Sequence, residues 1–230
     1  MSVMIKAEKI VKSYQSGGSE LVVLRGLDFS AERGEFVAIT GRSGSGKSTL
    51  LYQLGLLDHP NSGHINIDGV DILKLNNEER TDFRLKELGY VFQDYALLPE
   101  LTSLENVALP FLMQGMTKAQ AAGRATEALA RVGLASKTSN LPSQLSGGEQ
   151  QRVSIARAIS HSPKIIFADE PTANLDSETA AIVIKTFLEL HREGQTIVMV
   201  THEEEYARQT DRIITLSDGI ITSDTRLKAQ

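Results

Sequence analysis

A glycine-rich segment gives the clearest chemical signal in this chain. Gly41-Arg42-Ser43-Gly44-Ser45-Gly46-Lys47-Ser48 matches the pattern G-x-x-x-x-G-K-[ST]. Its glycines allow backbone N–H groups to converge on phosphate oxygens, Lys47 can reach the β- and γ-phosphates, and the Ser48 hydroxyl can ligate Mg²⁺. The alternative is a glycine-rich turn without a ligand. A predicted strand before the segment and a predicted helix after it favour a nucleotide-binding loop.

Two adjacent carboxylates stand at the end of a second, apolar segment. Lys164-Ile165-Ile166-Phe167-Ala168 predicts a buried strand that is followed at once by Asp169 and Glu170. Ligands of an open α/β sheet bind outside the carboxyl ends of its strands, so we expect both carboxylates to face the phosphate-binding loop. Asp169 would hold Mg²⁺, directly or through water, and Glu170 would accept a proton from the attacking water. An acidic turn after a buried strand is the alternative.

A third segment, Leu145-Ser146-Gly147-Gly148-Glu149-Gln150, reads as the beginning of a helix. Ser146 and Glu149 form a capping box, and an apolar helical pattern continues beyond them. The helix N-terminus adds a dipole and free N–H groups beside two glycines, which makes it a second potential phosphate site. Considered alone, the segment is also typical of an ordinary capped helix.

The pattern of apolar residues predicts the elements that must position these groups. Strands are predicted at 3–10, 21–29, 36–40, 64–68, 89–93, 164–168 and 196–200. Capping boxes at Thr102 and Thr117 predict two helices in the middle of the chain, and Pro110 should end or kink the first. Another capping box at Thr201 predicts a short helix. Strands that alternate with helices indicate an α/β fold with a parallel sheet.

The order of the elements also predicts the domain organisation. We expect residues 1–230 to form one domain, whose α/β core and N-terminal antiparallel β subdomain comprise residues 1–93 and 159–230. The helical stretch at about 94–158 is predicted to be a subdomain inserted in this core.

Composition excludes several classes of function. The chain has 230 residues, 24 Lys+Arg against 29 Asp+Glu, a net charge of −5 and no Cys. A disulfide scaffold, a thiolate metal site and a Cys nucleophile are therefore excluded, and the acidity argues against broad nucleic-acid binding. The sequence predicts no membrane span, and Lys6, Glu8 and Lys9 interrupt the start before a signal peptide's apolar region could form. A soluble globular protein is expected.

Taken together, the three segments resemble those of the ATP-binding cassette (ABC) family of transporter ATPases. The family's Walker A loop, LSGGEQ signature and Walker B strand occur at 41–48, 145–150 and 165–170, and the resemblance covers essentially the whole chain. It implies an α/β P-loop NTPase fold of the RecA-like type with a mainly parallel sheet. It also implies an ATPase that uses ATP and Mg²⁺.

Four further positions match the family. Tyr14 stands where an aromatic ring stacks on adenine, and Gln93, at the end of its predicted strand, matches the Q-loop. Asn174-Leu175-Asp176 resembles the D-loop, and Asp176 is also a reasonable helix N-cap. His202 matches the switch histidine, which would hold the γ-phosphate and position the water.

The resemblance assigns a role to each of these residues. It assigns catalysis to Lys47, Gln93, Glu170 and His202, and Mg²⁺ binding to Ser48, Gln93 and Asp169. It assigns ATP binding to Tyr14, Gly41, Arg42, Ser43, Gly44, Ser45, Gly46, Lys47, Ser48 and Thr49 of one subunit and Ser146, Gly147, Gly148 and Glu149 of the other. It thus implies a head-to-tail homodimer with two ATP molecules between the protomers and the Asp176 loop at the interface.

Two longer stretches narrow the family. Residues 54–63 resemble the LGxLDxPxxG segment, and residues 98–110 the LPxLTxxENVxLP segment, of the group that includes MacB, lipoprotein-release and haem-export ATPases. This group implies a separate permease with four transmembrane helices, and export or extraction of lipoprotein, macrolide, peptide or haem. The chain would lie on the cytoplasmic face of the bacterial inner membrane. Arg42, Ala173 and Glu203 differ from the usual family residues, but none of these differences replaces a residue to which the family gives a chemical role.

Two other classes of function fit the sequence less well than a transporter ATPase. A soluble ABC ATPase acting on ribosomes or DNA usually has two cassettes or a long coiled-coil insert, for which 230 residues leave no room. A small P-loop kinase has no reason to have LSGGEQ or a lone glutamate after the Walker B aspartate.

Overall fold

The computed structural model describes residues 2–16 and 18–227, and it divides into two compact units. The first unit comprises Met1–Thr81 and His191–Gln230, and the second comprises Asp82–Leu190. The first contains the phosphate-binding loop, and the second contains the acidic pair and the signature segment.

Strands and helices alternate through the described chain, as predicted. The strands are β1 (Val3–Ser16), β2 (Ser19–Glu32), β3 (Phe36–Gly41), β4 (Ser62–Ile67), β5 (Val70–Asp71), β6 (Leu88–Val91), β7 (Ile165–Asp169), β8 (Thr196–Val200), β9 (Arg212–Ser217) and β10 (Ile220–Arg226). The α-helices are α1 (Lys47–Leu54), α2 (Asn77–Glu87), α3 (Ser103–Met113), α4 (Lys118–Arg131), α5 (Gly147–Ile159), α6 (Ser177–Arg192) and α7 (Glu204–Ala207). Two 3₁₀ helices lie at Ala135–Lys137 and Pro142–Gln144.

The first unit has an antiparallel sheet in the order β2-β1-β4-β5 and a second set of strands in the order β10-β9-β3-β8. In the second set, β3 is parallel to both β8 and β9, and β10 is antiparallel to β9. Phe36, Val37, Ala38 and Ile39 of β3 are completely buried. Because β3 is apolar on both faces and flanked by parallel strands, it is a central strand, and it leads directly into the phosphate-binding loop.

The second unit contains the parallel pair β6 and β7, and the helices α3, α4 and α5. All five residues of β7 are buried, as expected for a strand covered on both faces. The predicted capping boxes at Thr102, Thr117 and Ser146 are confirmed at the starts of α3, α4 and α5. These local signals predicted the helix starts correctly because each depends on residues only three positions apart.

Of the two outcomes predicted for Pro110, an end of the helix does not occur. Helix α3 continues three residues past Pro110, whose carbonyl still accepts the Gln114 N–H at 3.1 Å, since proline lacks only its own donor. Two other local predictions were wrong. Strand β6 ends at Val91 rather than at Gln93, because the Phe92 carbonyl turns to accept the Tyr95 N–H at 3.2 Å. The second error concerns the residues before α7.

Helix α7 does not begin with a capping box at Thr201. It begins at Glu204, and the Thr201 hydroxyl accepts the N–H of Glu203 at 3.1 Å in a local turn. His202 therefore lies in a bend between β8 and α7, with its side chain exposed.

Among residues 2–16 and 18–227, the structure has no helix that is both long enough and apolar enough to span a membrane.

Candidate nucleotide-binding site

The phosphate-binding loop connects the end of β3 to the start of α1. Gly41 has φ 143°, and a Cβ atom at this position would lie 2.2 Å from the carbonyl oxygen of Leu216. Any side chain would therefore displace the neighbouring strand β9. Helix α1 has Gly46 as its N-cap residue, in contrast to the serine and threonine caps of α3, α4 and α5. The first-turn N–H groups of α1 thus depend on an acceptor other than a cap side chain, which suits an anion.

Lys47 lies against this loop. Its side chain is buried, and its Nζ donates hydrogen bonds of 3.0 Å to the carbonyl oxygens of both Gly41 and Arg42. The ammonium group is therefore fixed over the loop instead of extending into solvent. A charge held there, together with the α1 dipole, makes the loop a positive site for phosphate.

Tyr14 and His202 also belong to the first unit. Tyr14 lies on β1 with 40% of its surface exposed, and its hydroxyl donates to the Asp58 carboxylate at 2.8 Å. Burial, followed by the hydrogen bond and charge of Asp58, raises the pKa of this hydroxyl. Thr49 follows Ser48 in α1, and its side chain also hydrogen-bonds with Tyr14.

In the second unit, the acidic pair lies where the sequence predicted, at the end of β7. Asp169 is the last residue of the strand and is buried with 6% exposure, and Glu170 follows it half-buried. Glu170 has φ 44°, a left-handed conformation that is uncommon outside glycine. Its carbonyl accepts the Ala173 N–H at 3.2 Å, which closes a turn directly after the strand.

Gln151, which sequence reasoning missed, and Asn174 of the predicted D-loop donate hydrogen bonds to the main chain at Phe92 and Gln93. The amide of Gln151 is completely buried and donates to the carbonyls of Pro171 at 2.8 Å and Phe92 at 3.4 Å. The Asn174 amide donates to the carbonyl of Gln93 at 3.0 Å. All three hydrogen bonds are to main-chain atoms distant in sequence, so no local pattern could have predicted them.

The signature segment forms the predicted capped helix start. The Ser146 side chain accepts the Glu149 N–H at 3.3 Å, and the Glu149 carboxylate accepts the Ser146 N–H at 2.9 Å. The hydrogen bond from the Ser146 backbone, and after it the one from the Lys137 side chain, lower the pKa of Glu149. The helix start is thus a stable, well-defined element.

The second glycine of the signature is required by packing. A Cβ atom on Gly148 would lie 1.9 Å from the methyl carbon of Thr179 in α6. Asp176, predicted as a helix N-cap, accepts the Thr179 N–H at 2.9 Å and the Thr179 hydroxyl at 2.8 Å. These hydrogen bonds lower the pKa of Asp176. The Asp176 loop therefore fixes the side chain that lies against the signature helix.

The oxygen donors expected for a divalent cation are the Ser48 hydroxyl, the Gln93 amide and the Asp169 carboxylate. Hydroxyl, amide and carboxylate oxygens are suitable ligands for Mg²⁺. Within the part of the chain that the structure describes, no cluster of three or more His, Cys, Asp or Glu side chains could hold a metal ion.

The fold and these sites define the chain as an ATP-binding cassette. Residues 24–173 match the family model described as "ABC transporter", which is more than half of the chain, and the chain belongs to this family. The predicted P-loop NTPase fold and the predicted ABC family are both confirmed.

Individual relatives show how close the similarity is. The chain is 47% identical over 227 residues, or 99% of its length, to the macrolide export ATP-binding/permease protein MacB of Campylobacter fetus. It is 46% identical over 218 residues to the lipoprotein-releasing system ATP-binding protein LolD of Legionella pneumophila, covering 94% of this chain and 96% of that protein. It spans only 35% of the length of the MacB relative.

A solved structure gives the same result for the fold. The ATP-binding cassette MJ0796, in a dimeric post-hydrolysis state bound to ADP and Pi, matches with a TM-score of 0.91 and 40% sequence identity. The match covers 99% of this chain and 100% of that chain.

Proposed function

We propose that this chain is the motor of a transporter and that its phosphate-binding loop holds the ATP whose hydrolysis drives transport. The observation that supports this most directly is the geometry of Lys47. A buried lysine, with its ammonium fixed by two loop carbonyls beside a glycine-capped helix start, has the position and charge needed to bind phosphates.

Replacing Lys47 tests this proposal. Lys47→Ala removes the fixed charge, and we expect ATP affinity to fall by tenfold or more, since charge-assisted hydrogen bonds contribute about 1.5–3 kcal/mol each. Binding of a fluorescent ATP analogue measures the effect. Lys185→Ala, at an exposed lysine of α6, is the matched control and should bind normally. Unchanged affinity in Lys47→Ala would contradict the assignment of the loop.

The other residues of the site have distinct roles in this proposal. The Tyr14 ring stacks on the nucleobase, and Thr49 and the loop residues contact the phosphates. Ser48, Gln93 and Asp169 would hold Mg²⁺, which supplies positive charge to the phosphates when bound. Glu170 accepts the proton of the attacking water, and His202 and Gln93 position that water.

The signature helix contributes to a second protomer's site. Its N-terminus combines an oriented dipole with the small residues Ser146, Gly147 and Gly148, and with Glu149, next to the expected phosphate. The dimeric state of the MJ0796 structure supports a homodimer. The resemblance of Asn174-Leu175-Asp176 to the family's D-loop is the reason to place the Asp176 loop at its interface.

The names of the relatives support a membrane partner. MacB combines an ATP-binding region with a permease, and LolD is the ATP-binding protein of a lipoprotein-releasing system. By analogy, we place this chain on the cytoplasmic face of a bacterial inner membrane, bound to a permease of the four-helix type. The transported material would be lipoprotein, macrolide, peptide or haem.

A further inference from the structure

The Asp58 carboxylate gathers four hydrogen-bond donors beside Tyr14. It accepts the Tyr14 hydroxyl at 2.8 Å, the Lys12 ammonium at 2.8 Å, the Gln53 amide at 3.2 Å and the N–H of His59 at 2.7 Å. Gln53 is completely buried, and Lys12 is 9% exposed. A carboxylate with donors from a strand, a helix and its own loop holds these elements in one arrangement.

Lys12 fixes one face of the Tyr14 ring. Its Nζ lies 4.8 Å from the ring centroid, within the range of a cation–π interaction. The same Nζ donates to the His59 carbonyl at 2.7 Å, so its position is determined by two acceptors besides the ring. With Lys12 on one face and 40% of Tyr14 exposed, the ring has an open surface available to a ligand.

The charge on Asp58 persists in the folded chain. Burial alone would raise the pKa of this carboxyl, but hydrogen bonds from Lys12, the His59 N–H, Tyr14 and Gln53 hold it well below its ordinary value. Asp58 is therefore ionised at neutral pH and accepts a hydrogen bond from the Tyr14 hydroxyl. The side chain of Thr49, next to Ser48 in α1, also hydrogen-bonds with Tyr14 and connects the ring to the phosphate-binding loop.

We infer that Asp58 is a positioning residue for nucleobase recognition: with Lys12, it orients the Tyr14 ring so that the open face stacks on the base of ATP. This inference rests on the proposed nucleotide site and adds Asp58 to that site. Asp58 belongs to the 54–63 segment, whose sequence otherwise serves only to identify a group within the family. A pre-oriented ring loses less conformational entropy when the base binds. The hydrogen bond from Tyr14 to Asp58 therefore strengthens binding of the base and not of the phosphates.

Two ligands separate this role from a general structural one. ATP has the base, whereas inorganic tripolyphosphate presents similar phosphates without it. Asp58→Asn keeps the shape of the side chain and loses its charge. Tyr14→Phe keeps the aromatic ring and loses the hydroxyl that donates to Asp58. We expect each to weaken ATP binding by about two- to tenfold, the value of one hydrogen bond, and to leave tripolyphosphate binding unchanged. Titration calorimetry of the full chain measures both ligands.

The double variant and a control complete the experiment. Because Asp58→Asn weakens the same hydrogen bond that Tyr14→Phe removes, the double variant should weaken ATP binding little more than Tyr14→Phe alone. Asp28→Asn, at an Asp of β2 that accepts the Lys9 N–H, is the matched control and should bind both ligands normally.

Each result that contradicts these expectations identifies which assignment is wrong. Equal losses for ATP and tripolyphosphate in Asp58→Asn would make Asp58 merely structural and overturn the inference. Normal ATP binding in Tyr14→Phe, together with weak binding in Tyr14→Ala, would also overturn it while preserving the stacking role. Normal ATP binding in Tyr14→Ala would remove Tyr14 from the proposed site, whereas failure of the proposed function itself would appear in Lys47→Ala.

Discussion

The backbone of Glu170 is the most informative feature at the scale of single residues. A left-handed conformation costs a non-glycine residue about 1–2 kcal/mol, and Glu170 adopts it at φ 44° directly after a fully buried strand. Backbone strain of this kind is common at functional sites, where the surrounding structure maintains it. The strain therefore supports the role proposed for this carboxylate.

Replacing that carboxylate by an amide should separate binding from turnover. Glu170→Gln retains the shape but cannot accept a proton, so we expect ATP binding to persist and hydrolysis to fall by about 10²–10⁴-fold. Phosphate release under saturating ATP measures this. Glu189→Gln, at an exposed carboxylate of α6, serves as the control. Near-normal turnover of Glu170→Gln would mean that another group accepts the proton.

Gln151 is a residue whose importance is visible only in the structure. Gln151→Leu leaves the Phe92 and Pro171 carbonyls without this buried donor, and we expect the free energy of unfolding to fall by about 1–3 kcal/mol. Urea denaturation measures the loss. Gln209→Leu, at an exposed glutamine, should change stability by less than about 0.5 kcal/mol. Equal stability of the two variants would show that the Gln151 hydrogen bonds contribute little.

Among the elements, the segment 95–101 has an unusual backbone. Tyr95 and Ala96 have φ 63° and 48°, and the Arg157 guanidinium of α5 donates to their carbonyls at 3.1 and 2.6 Å. Further on, the buried amide of Asn106 donates to the Leu98 carbonyl at 3.0 Å and accepts the Leu98 N–H at 2.8 Å. The segment is thus held at Tyr95, Ala96 and Leu98, which favours it as a firm contact for the proposed permease.

A negative charge on this segment should uncouple ATP hydrolysis from the proposed permease. Leu98 is 46% exposed, so we expect Leu98→Glu to fold normally and keep basal ATP hydrolysis, while a negative charge in an apolar contact disrupts permease binding. ATPase activity with and without the reconstituted permease gives the measurement. Ile220→Glu, at an equally exposed residue of β10, is the matched control. Parallel loss of basal and permease-stimulated activity would contradict the assignment.

For the whole molecule, the signature helix gives a test of assembly. If Ser146 of one protomer completes the Lys47 site of the other, a mixture of Ser146→Ala and Lys47→Ala chains contains dimers with one intact site. Random pairing makes half of the dimers mixed, each with one of two sites intact, so activity should return to about a quarter of the parent value. Steady-state ATP hydrolysis of the mixture measures it.

The loss of the helix cap needs its own control in that experiment. Ser146→Ala removes a capping side chain and should cost about 1 kcal/mol of stability. Thr117→Ala removes the corresponding cap of α4, so it should cause a similar loss without affecting hydrolysis. A mixture no more active than the mean of its two variants would argue against shared sites.

The sequence by itself determined the alternating fold, the phosphate-binding loop, the acidic pair and three helix starts. These features depend on residues close together in the chain: a glycine spacing, an apolar run that ends in carboxylates, or a capping box three residues long. The predicted strand end at Gln93 and the predicted helix start at Thr201 were wrong, because the Phe92 carbonyl and the Thr201 hydroxyl have other hydrogen-bond partners.

Only the tertiary structure decided which distant groups meet. The contacts of Gln151 with Phe92 and Pro171, of Gly148 with Thr179, and of Asp58 with Tyr14 join residues up to 59 positions apart. Such pairs leave no periodic signal, because close packing and the need to satisfy buried polar groups act in space and not along the chain.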